Sequence, residues 1–298
     1  METPGVTVCL AGATATGKTA AAQRLAEETG AAILSADAML VYAGMDVGTA
    51  KPSPEERGCV PYFGLDCVSP AEPFSAAAWL EEAARARRFC AEQGRPLIVA
   101  GGTGLYFSAL LRGLDPTPPG DSALRAELEQ LPLDALRARA EARGITAVDA
   151  ANPRRLIRAL EIIERGGALP AGWGAAPKPR LLALTWERSL LHARIARRAE
   201  RMFAHGLPEE TARLRKAFPE WSRTAAQAIG YAEAAALLEG RLSRAEAVER
   251  TTIRTRQLAR RQETYLRHQF EVQWVRGAPG DDAAALLAKL RASGACPL

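Results

Sequence analysis

The sequence predicts an α/β protein, a doubly wound parallel sheet with a small helical lobe inserted into it, and three observations carry that reading. Short apolar runs alternate with helix-length stretches in the first part of the chain, a pattern that calls for strands joined by crossover helices. Each run ends in a turn bearing Gly or Asp, where the loops of such a sheet gather a site. The alternation then breaks at a Pro-rich stretch and resumes only after several short helical patterns. A chain of 298 residues, 48% hydrophobic, has material for one large core and a second, smaller lobe.

Residues 6–10 form the first apolar run, followed by a Gly-rich turn over residues 12–19 and an Ala-rich helical stretch that Gly30 can close. The second run, residues 31–34, ends at Ser35-Ala36-Asp37, and the third, residues 96–100, ends at Gly101-Gly102-Thr103-Gly104. Between them, residues 74–93 read as an amphipathic helix with Ser75 near its start. After Asp115 the breakers Pro116, Pro118, Pro119 and Gly120 intervene. Residues 122–144 then read as two short helices around Pro132, residues 152–165 as another, and residues 166–179 as a Gly/Pro/Ala-rich linker. Residues 181–184 return as a strand, long helices follow, and residues 271–275 are a candidate last strand. The expected organisation is a core of residues 1–114 and 180–298 around an inserted lobe of residues 115–179, with no internal repeat.

Composition excludes several classes. No run of about 18 apolar residues exists, and the N-terminus has no basic segment ahead of its short apolar stretch, so neither a membrane anchor nor a signal peptide is expected. The five cysteines are scattered and never spaced as CxxC, which suits a reduced cytoplasmic location, and His192, His205 and His268 pair with no nearby cysteine as a zinc site would. Net charge is +5 but unevenly spread: residues 1–120 carry a balance of −4 and residues 180–270 one of +8. The second half is the candidate for meeting a polyanion, against the plain alternative of solvated Arg-rich helix faces. Arg194, Arg197, Arg198 and Arg201 recur at helical spacing, and the same two readings apply to them.

Gly12-Ala13-Thr14-Ala15-Thr16-Gly17-Lys18-Thr19 fits GxxxxGK[ST], the P-loop shared by nucleotide-binding and ATP-binding proteins. That spacing wraps backbone N–H groups around phosphate oxygens at a helix N-terminus, adds Lys18 as a point charge and presents the Thr19 hydroxyl to Mg²⁺. The expected fold is therefore P-loop NTPase-like. The motif leaves the phosphate compound undecided, but the third run ends in Gly-Gly-Thr rather than in the Asp that helps to hold Mg²⁺ in ordinary P-loop NTPases. Asp37, at the end of the second run, is instead the carboxylate expected near the phosphates, its plain alternative being a cap or turn residue.

Beyond the P-loop, Ser35-Ala36-Asp37-Ala38-Met39-Leu40-Val41-Tyr42 and Gly44-Met45-Asp46-Val47-Gly48-Thr49-Ala50-Lys51-Pro52 closely resemble the tRNA dimethylallyltransferase family. So do Gly101-Gly102-Thr103-Gly104-Leu105-Tyr106, Arg154-Arg155 with Arg158-Ala159-Leu160-Glu161, Ile229-Gly230-Tyr231, and Thr255-Arg256-Gln257-Leu258-Ala259-Arg260-Arg261-Gln262. The resemblance implies that residues 12–19 hold the diphosphate of dimethylallyl diphosphate, with Lys18 and Thr19 acting on it and Mg²⁺ reached through Thr19. It implies an acceptor that is the exocyclic N6 of adenosine 37, in the anticodon arm of tRNAs reading codons that begin with U. Asp37 would take the N6 proton and Thr103 would contact the acceptor region. Ala38, Met39, Leu40, Arg125, Arg154, Arg155, Leu156, Ile157, Arg158, Gln227, Ile229, Gly230, Tyr231, Arg256, Gln257, Arg260 and Arg261 would meet the tRNA, with the enzyme acting as a monomer. Tyr231 has a plain alternative as a core aromatic. The sequence departs from the family at Ala38, where a Ser is usual, at Asn152, where an Asp often precedes the Arg pair, and at residues 61–66, where a common His is replaced; its inserted lobe is also shorter.

The chemistry agrees with these roles. An adenine amino group is a weak nucleophile because its lone pair is delocalised, so a carboxylate that removes its proton as the C–N bond forms helps directly. Diphosphate leaves as a polyanion, which N–H donors and cations stabilise. Two other readings compete: prenylation of free adenine nucleotides, which the basic second half disfavours, and a P-loop small-molecule kinase, which the missing acid and the DxGTAKP run disfavour. A non-catalytic RNA-binding protein would leave Lys18, Thr19 and Asp37 without a joint purpose.

Overall fold

The computed structural model describes residues 7–146, 148–173, 177–294 and 296–298. Two compact units divide it: Met1–Arg112 with Lys178–Leu298, and Gly113–Pro177.

In the larger unit the chain runs β1 (Val8–Gly12), α1 (Lys18–Thr29), β2 (Ala32–Ala36), α2 (Pro54–Arg57), β3 (Tyr62–Phe63), α3 (Ala76–Gln93), β4 (Leu97–Gly101) and α4 (Gly104–Arg112). The smaller unit holds α5 (Ser122–Glu129), α6 (Leu133–Ala142) and α7 (Pro153–Glu164). The larger unit resumes with β5 (Arg180–Thr185), α8 (Arg188–Ala204), α9 (Leu207–Ala217), α10 (Tyr231–Leu238), α11 (Arg244–Gln269), β6 (Glu271–Arg276) and α12 (Ala283–Ala292).

The sheet has six strands in the order β3-β2-β4-β1-β5-β6, all parallel. Strand alternation divides the core in two. Val8, Leu10, Ile33, Ile98, Leu182 and Leu184 face one layer with α1, α8 and α12, while Ala11, Leu34, Leu97, Val99, Leu181 and Ala183 face the other with α3, α4 and α11. Burying each Leu- or Ile-sized side chain contributes about 1.5–3 kcal/mol, so both faces must be covered, as in any doubly wound sheet.

Helix ends follow local chemistry. The Ser75 hydroxyl accepts from the Ala78 N–H at the start of α3, Ser243 forms a reciprocal capping box with Glu246 on α11, and Gly30 and Gly94 close α1 and α3 in the left-handed conformation. Asn152 accepts from the N–H groups of Arg154 and Arg155, so the departure from Asp keeps the cap of α7.

Two elements escape the sequence reading. β3 is only a two-residue edge pairing on Ile33 and Leu34, too short to show a period, and α4 begins directly at Gly104, inside what reads as a loop motif. The first strand lies two residues downstream of the apolar run, because pairing with β4 continues through Ala11; Val6 lies outside the described residues, as do residues 174–176 of the linker.

Register places the site. Gly101 of β4 is paired with Ala36 of β2 on one side and with Ala11 of β1 on the other, so the carboxyl ends of these three strands lie side by side. A Cβ at position 101 would stand 2.0 Å from the Ala36 carbonyl oxygen, which restricts that position to Gly.

Candidate active site

The P-loop leaves β1 at Gly12 and enters α1 at Lys18. Gly17, at the N-cap, has φ 91°, and Ala15 stands at φ 66°, a left-handed conformation that costs a non-Gly residue about 1–3 kcal/mol. Its neighbours hold that geometry from behind. The Arg194 Nε donates to the Ala15 carbonyl at 2.8 Å, the Trp186 indole donates to the Thr16 carbonyl at 2.9 Å, and the Arg194 guanidinium stacks 4.2 Å from the Trp186 ring centroid. Within the loop the Thr16 hydroxyl donates to the Ala13 carbonyl at 2.9 Å. From α11, Gln262 accepts from the Thr14 N–H at 2.9 Å.

Asp37 follows β2 directly, and its carboxylate accepts from the Met39 N–H at 2.9 Å. Thr103 ties this loop to the end of β4: its N–H donates to the Ala36 carbonyl and its hydroxyl accepts from the Ala38 N–H at 3.0 Å. Lys18 is buried, its ammonium 3.3 Å from the Ala13 carbonyl. Burial pulls its pKa down to about 8, partly opposed by the Asp37 carboxylate and reinforced by Arg198. Arg198 is likewise pushed below its usual range by burial, against the pull of Asp37, and donates to the Thr49 carbonyl at 2.9 Å. Asp37 thus favours the charged form of both cations.

A cleft opens beneath these groups. Lys18, Thr19, Ser35 and Asp37 form its polar part, and Ala22, Ile33, Leu40, Pro52, Tyr62 and Ala100 its apolar part. Along β2 and the residue after it, Ile33, Ser35 and Asp37 share one face, so Ile33 lies four residues, about 13 Å, from Asp37. There the Tyr62 hydroxyl, in the segment where the family's common His is replaced, donates to Gln23 at 2.7 Å. Thr19 is exposed on the first turn of α1 and lines this cleft with Asp37.

The motif at residues 46–52 has a different task. The Lys51 side chain is 2% exposed, and its ammonium donates to the Tyr42 carbonyl at 2.7 Å, to Asp46 at 2.8 Å and to Asp66 at 2.5 Å, tying the loop after β2 together. Buried Glu210 accepts from the N–H groups of Val47 and Gly48 and from the Tyr231 hydroxyl. Tyr231 is 2% exposed, so its ring fills the core, and a Cβ at Gly48 would strike it at 2.4 Å. Gln227 is exposed and Ile229 half-buried, while Gly230 starts α10 with its N–H on Glu233.

Of the α11 residues, Gln257, Arg260 and Arg261 are exposed, whereas Arg256 is half-buried with its Nε unpaired. Its charge and that of Arg188 lower the pKa of His192 on α8, after the larger effect of burial. In the smaller unit Arg154 and Arg155 are exposed and Arg155 is 3.5 Å from Asp149. Leu156 and Ile157, grouped with them by the resemblance, are turned inward by the helical period and are 1% and 5% exposed in the core of that unit. Arg158 donates to Thr117 at 2.9 Å and to the Pro118 carbonyl at 2.7 Å, and Arg125 pairs with buried Glu161.

Sequence reading missed the inward role of Arg194 and Arg198, which it weighed only as an RNA-facing or solvated stripe. The signal was present, because both flank the buried stripe Leu191, Ile195 and Ala199 on α8. Arg197 and Arg201 are the exposed members. Gln262 ends a motif of the resemblance but had no role assigned there, and Trp186 and Tyr62 carried no spacing that would mark them.

The family described as IPP transferase matches residues 40–269, and that described as isopentenyl transferase matches residues 6–60. The chain belongs to the IPP transferase family. Within it, tRNA dimethylallyltransferase of Anaeromyxobacter dehalogenans is 44% identical over 94% of this chain and 95% of the relative, and that of Deinococcus radiodurans 41% identical over 95% of each. Among solved structures, the full-length tRNA isopentenylpyrophosphate transferase from Bacillus halodurans superposes with a TM-score of 0.70 at 31% identity, covering 97% of this chain and 98% of that one. The IPP transferase relatives therefore match both the P-loop core and the inserted unit, which together make up the covered length. Among the described residues no helix is long and apolar enough to cross a membrane.

Proposed function

We propose that this protein transfers the dimethylallyl group of dimethylallyl diphosphate to N6 of adenosine 37 in tRNAs reading codons that begin with U, and releases diphosphate. One observation carries the reading: a single cleft is lined by the lysine and threonine of a P-loop, by a carboxylate at the next strand end, and by apolar side chains beside them. A prenyl diphosphate has a polyanionic end for the polar part of this lining and an apolar end for the rest.

In this reading the loop N–H groups, Lys18 and Arg198 bind the diphosphate, and Ala22, Ile33, Leu40 and Tyr62 exclude water from the allylic carbon. Asp37 stands at the mouth, where it accepts the N6 proton as the nitrogen attacks C1. Thr103, bonded to the same loop, fixes the distance between that carboxylate and the end of β4. Mg²⁺ suits the oxygen donors present: Thr19 offers one hydroxyl, and the diphosphate and water would supply the remainder, as this hard cation prefers. When bound it would neutralise charge on the leaving diphosphate. The exposed arginines Arg154, Arg155, Arg260 and Arg261 would hold the RNA backbone, which fits the basic balance of the second half.

The test is incubation of the protein with dimethylallyl diphosphate, Mg²⁺ and unmodified tRNA, followed by mass spectrometry of the digested nucleosides. N6-dimethylallyladenosine at position 37 is expected. Transfer to free adenine nucleotides but not to tRNA, or stabilisation by ATP and not by the prenyl donor, would overturn the reading.

A further inference from the structure

Ser35 sits on β2 between Ile33 and Asp37, and all three line the cleft. Its backbone is fixed by pairing with Ala100 and by the Trp79 indole, which donates to the Ser35 carbonyl at 2.7 Å. The residue is 4% exposed, and its hydroxyl oxygen is buried without a hydrogen-bond partner in the protein. An unpaired buried hydroxyl destabilises a fold, and an alanine would fill this strand position without that penalty. A buried hydroxyl without a protein partner, on a residue that lines a phosphate-binding cleft, calls for an explanation.

Resting on the prenyl-transfer reading above, we infer that the Ser35 hydroxyl is a catalytic group that donates a hydrogen bond to the oxygen linking the prenyl C1 to the diphosphate. In a donor with its phosphates at Lys18 and Thr19 and its tail against Ala22 and Ile33, that oxygen is the polar atom at the level of Ser35. During transfer the N6–C1 bond forms, the C1–O bond breaks, and its electron pair becomes charge on that oxygen. The N6 proton goes to Asp37, while Ser35 keeps its proton and shares it more strongly as the charge grows. The hydrogen bond is thus worth more in the transition state than in the bound donor, and its loss appears in rate rather than in affinity.

Two variants test this. Ser35→Ala removes the donor; Ser35→Cys keeps nearly the same shape with a weak donor. Both are expected to slow single-turnover transfer to tRNA by about 10- to 100-fold, the range for losing one hydrogen bond to developing charge, with the dissociation constant of an unreactive thio-bridged donor analogue changed less than about threefold. The melting temperature of Ser35→Ala is expected to be unchanged or higher. Transfer by Ser35→Cys at the wild-type rate beside a slow Ser35→Ala would show that shape, not the hydrogen bond, matters. A loss confined to analogue binding, a lowered melting temperature that accounts for the lost rate, or wild-type rates in both variants would also overturn the inference. Absence of transfer by the wild-type protein would instead overturn the prenyl-transfer reading itself, and Ser35's role with it.

Discussion

Lys18 is held in a state that its ligand must correct. Burial lowers its pKa to about 8, and an arriving diphosphate, being anionic, favours the charged form and raises it again. Donor binding above pH 8 should therefore take up a proton and weaken with rising pH, approaching tenfold per unit; calorimetry in buffers of different ionisation enthalpy reads the uptake, and a pH-independent affinity between pH ~8 and ~9.5 would contradict it. For folding the sign is opposite. Between pH 8 and the ordinary lysine range the unfolded chain binds more protons than the folded one, so the burial penalty on Lys18 is full below about pH 8 and disappears as pH rises through that window. Asp37 couples to this residue because its charge opposes the downward shift. Asp37→Asn should lower the Lys18 pKa further and, by removing the proton acceptor, reduce turnover by about 10² or more with both substrates saturating. Near-normal turnover would take that role from Asp37.

At the scale of elements, the motif-bearing loops were legible in the sequence because glycine, phosphate geometry and strand ends leave little freedom, and Asp37 could be placed beside the P-loop from topology alone. What was not legible is which side of a helix meets the loop. Arg194 and Arg198 share a spacing with exposed Arg197 and Arg201, and only packing of α8 against the sheet separates them. Similarly, Lys51 in a recognisable motif could have been a substrate contact; three oxygen partners in a buried site make it a tie for the loop after β2. Lys51→Met should cost about 1–3 kcal/mol, mainly for the stranded Tyr42 carbonyl, since Asp46 and Asp66 are exposed enough to regain water. Denaturant unfolding measures the loss. Arg194→Ala acts on the P-loop instead: without the cation on the Ala15 carbonyl the left-handed turn loses its support, so donor affinity should fall about 10-fold while the melting temperature changes little. Equal donor binding in the variant would assign Arg194 to the packing of Trp186 alone.

For the whole molecule, the uneven charge seen in the sequence divides into two populations. Inward arginines, Arg194 and Arg198, belong to the acidic-leaning first half through their bonds to residues 15 and 49, although they are encoded in the basic second half. Outward ones, Arg260 and Arg261 among them, face solvent on α11. Gross charge counting treats all of them alike, since burial is not written in composition. The division predicts separable energetics. Arg260→Ala with Arg261→Ala should weaken tRNA binding at physiological salt and flatten its salt dependence by up to about one unit of log–log slope for each phosphate no longer neutralised, leaving donor affinity unchanged. Arg198→Ala should do the reverse, weakening the donor and sparing the tRNA salt slope, because its half-buried guanidinium is turned toward the loop at Thr49 and its charge acts on Lys18. Arg256 belongs to neither population: it is half-buried, with its charge acting on His192 of α8. Titration of each variant with an unreactive donor analogue, beside tRNA binding at several salt concentrations, separates the groups. If the Arg260/Arg261 pair lowers donor affinity while the tRNA slope stays at the wild-type value, the outward arginines serve the diphosphate, and the RNA must be held by other groups, the arginines of α7 first among them.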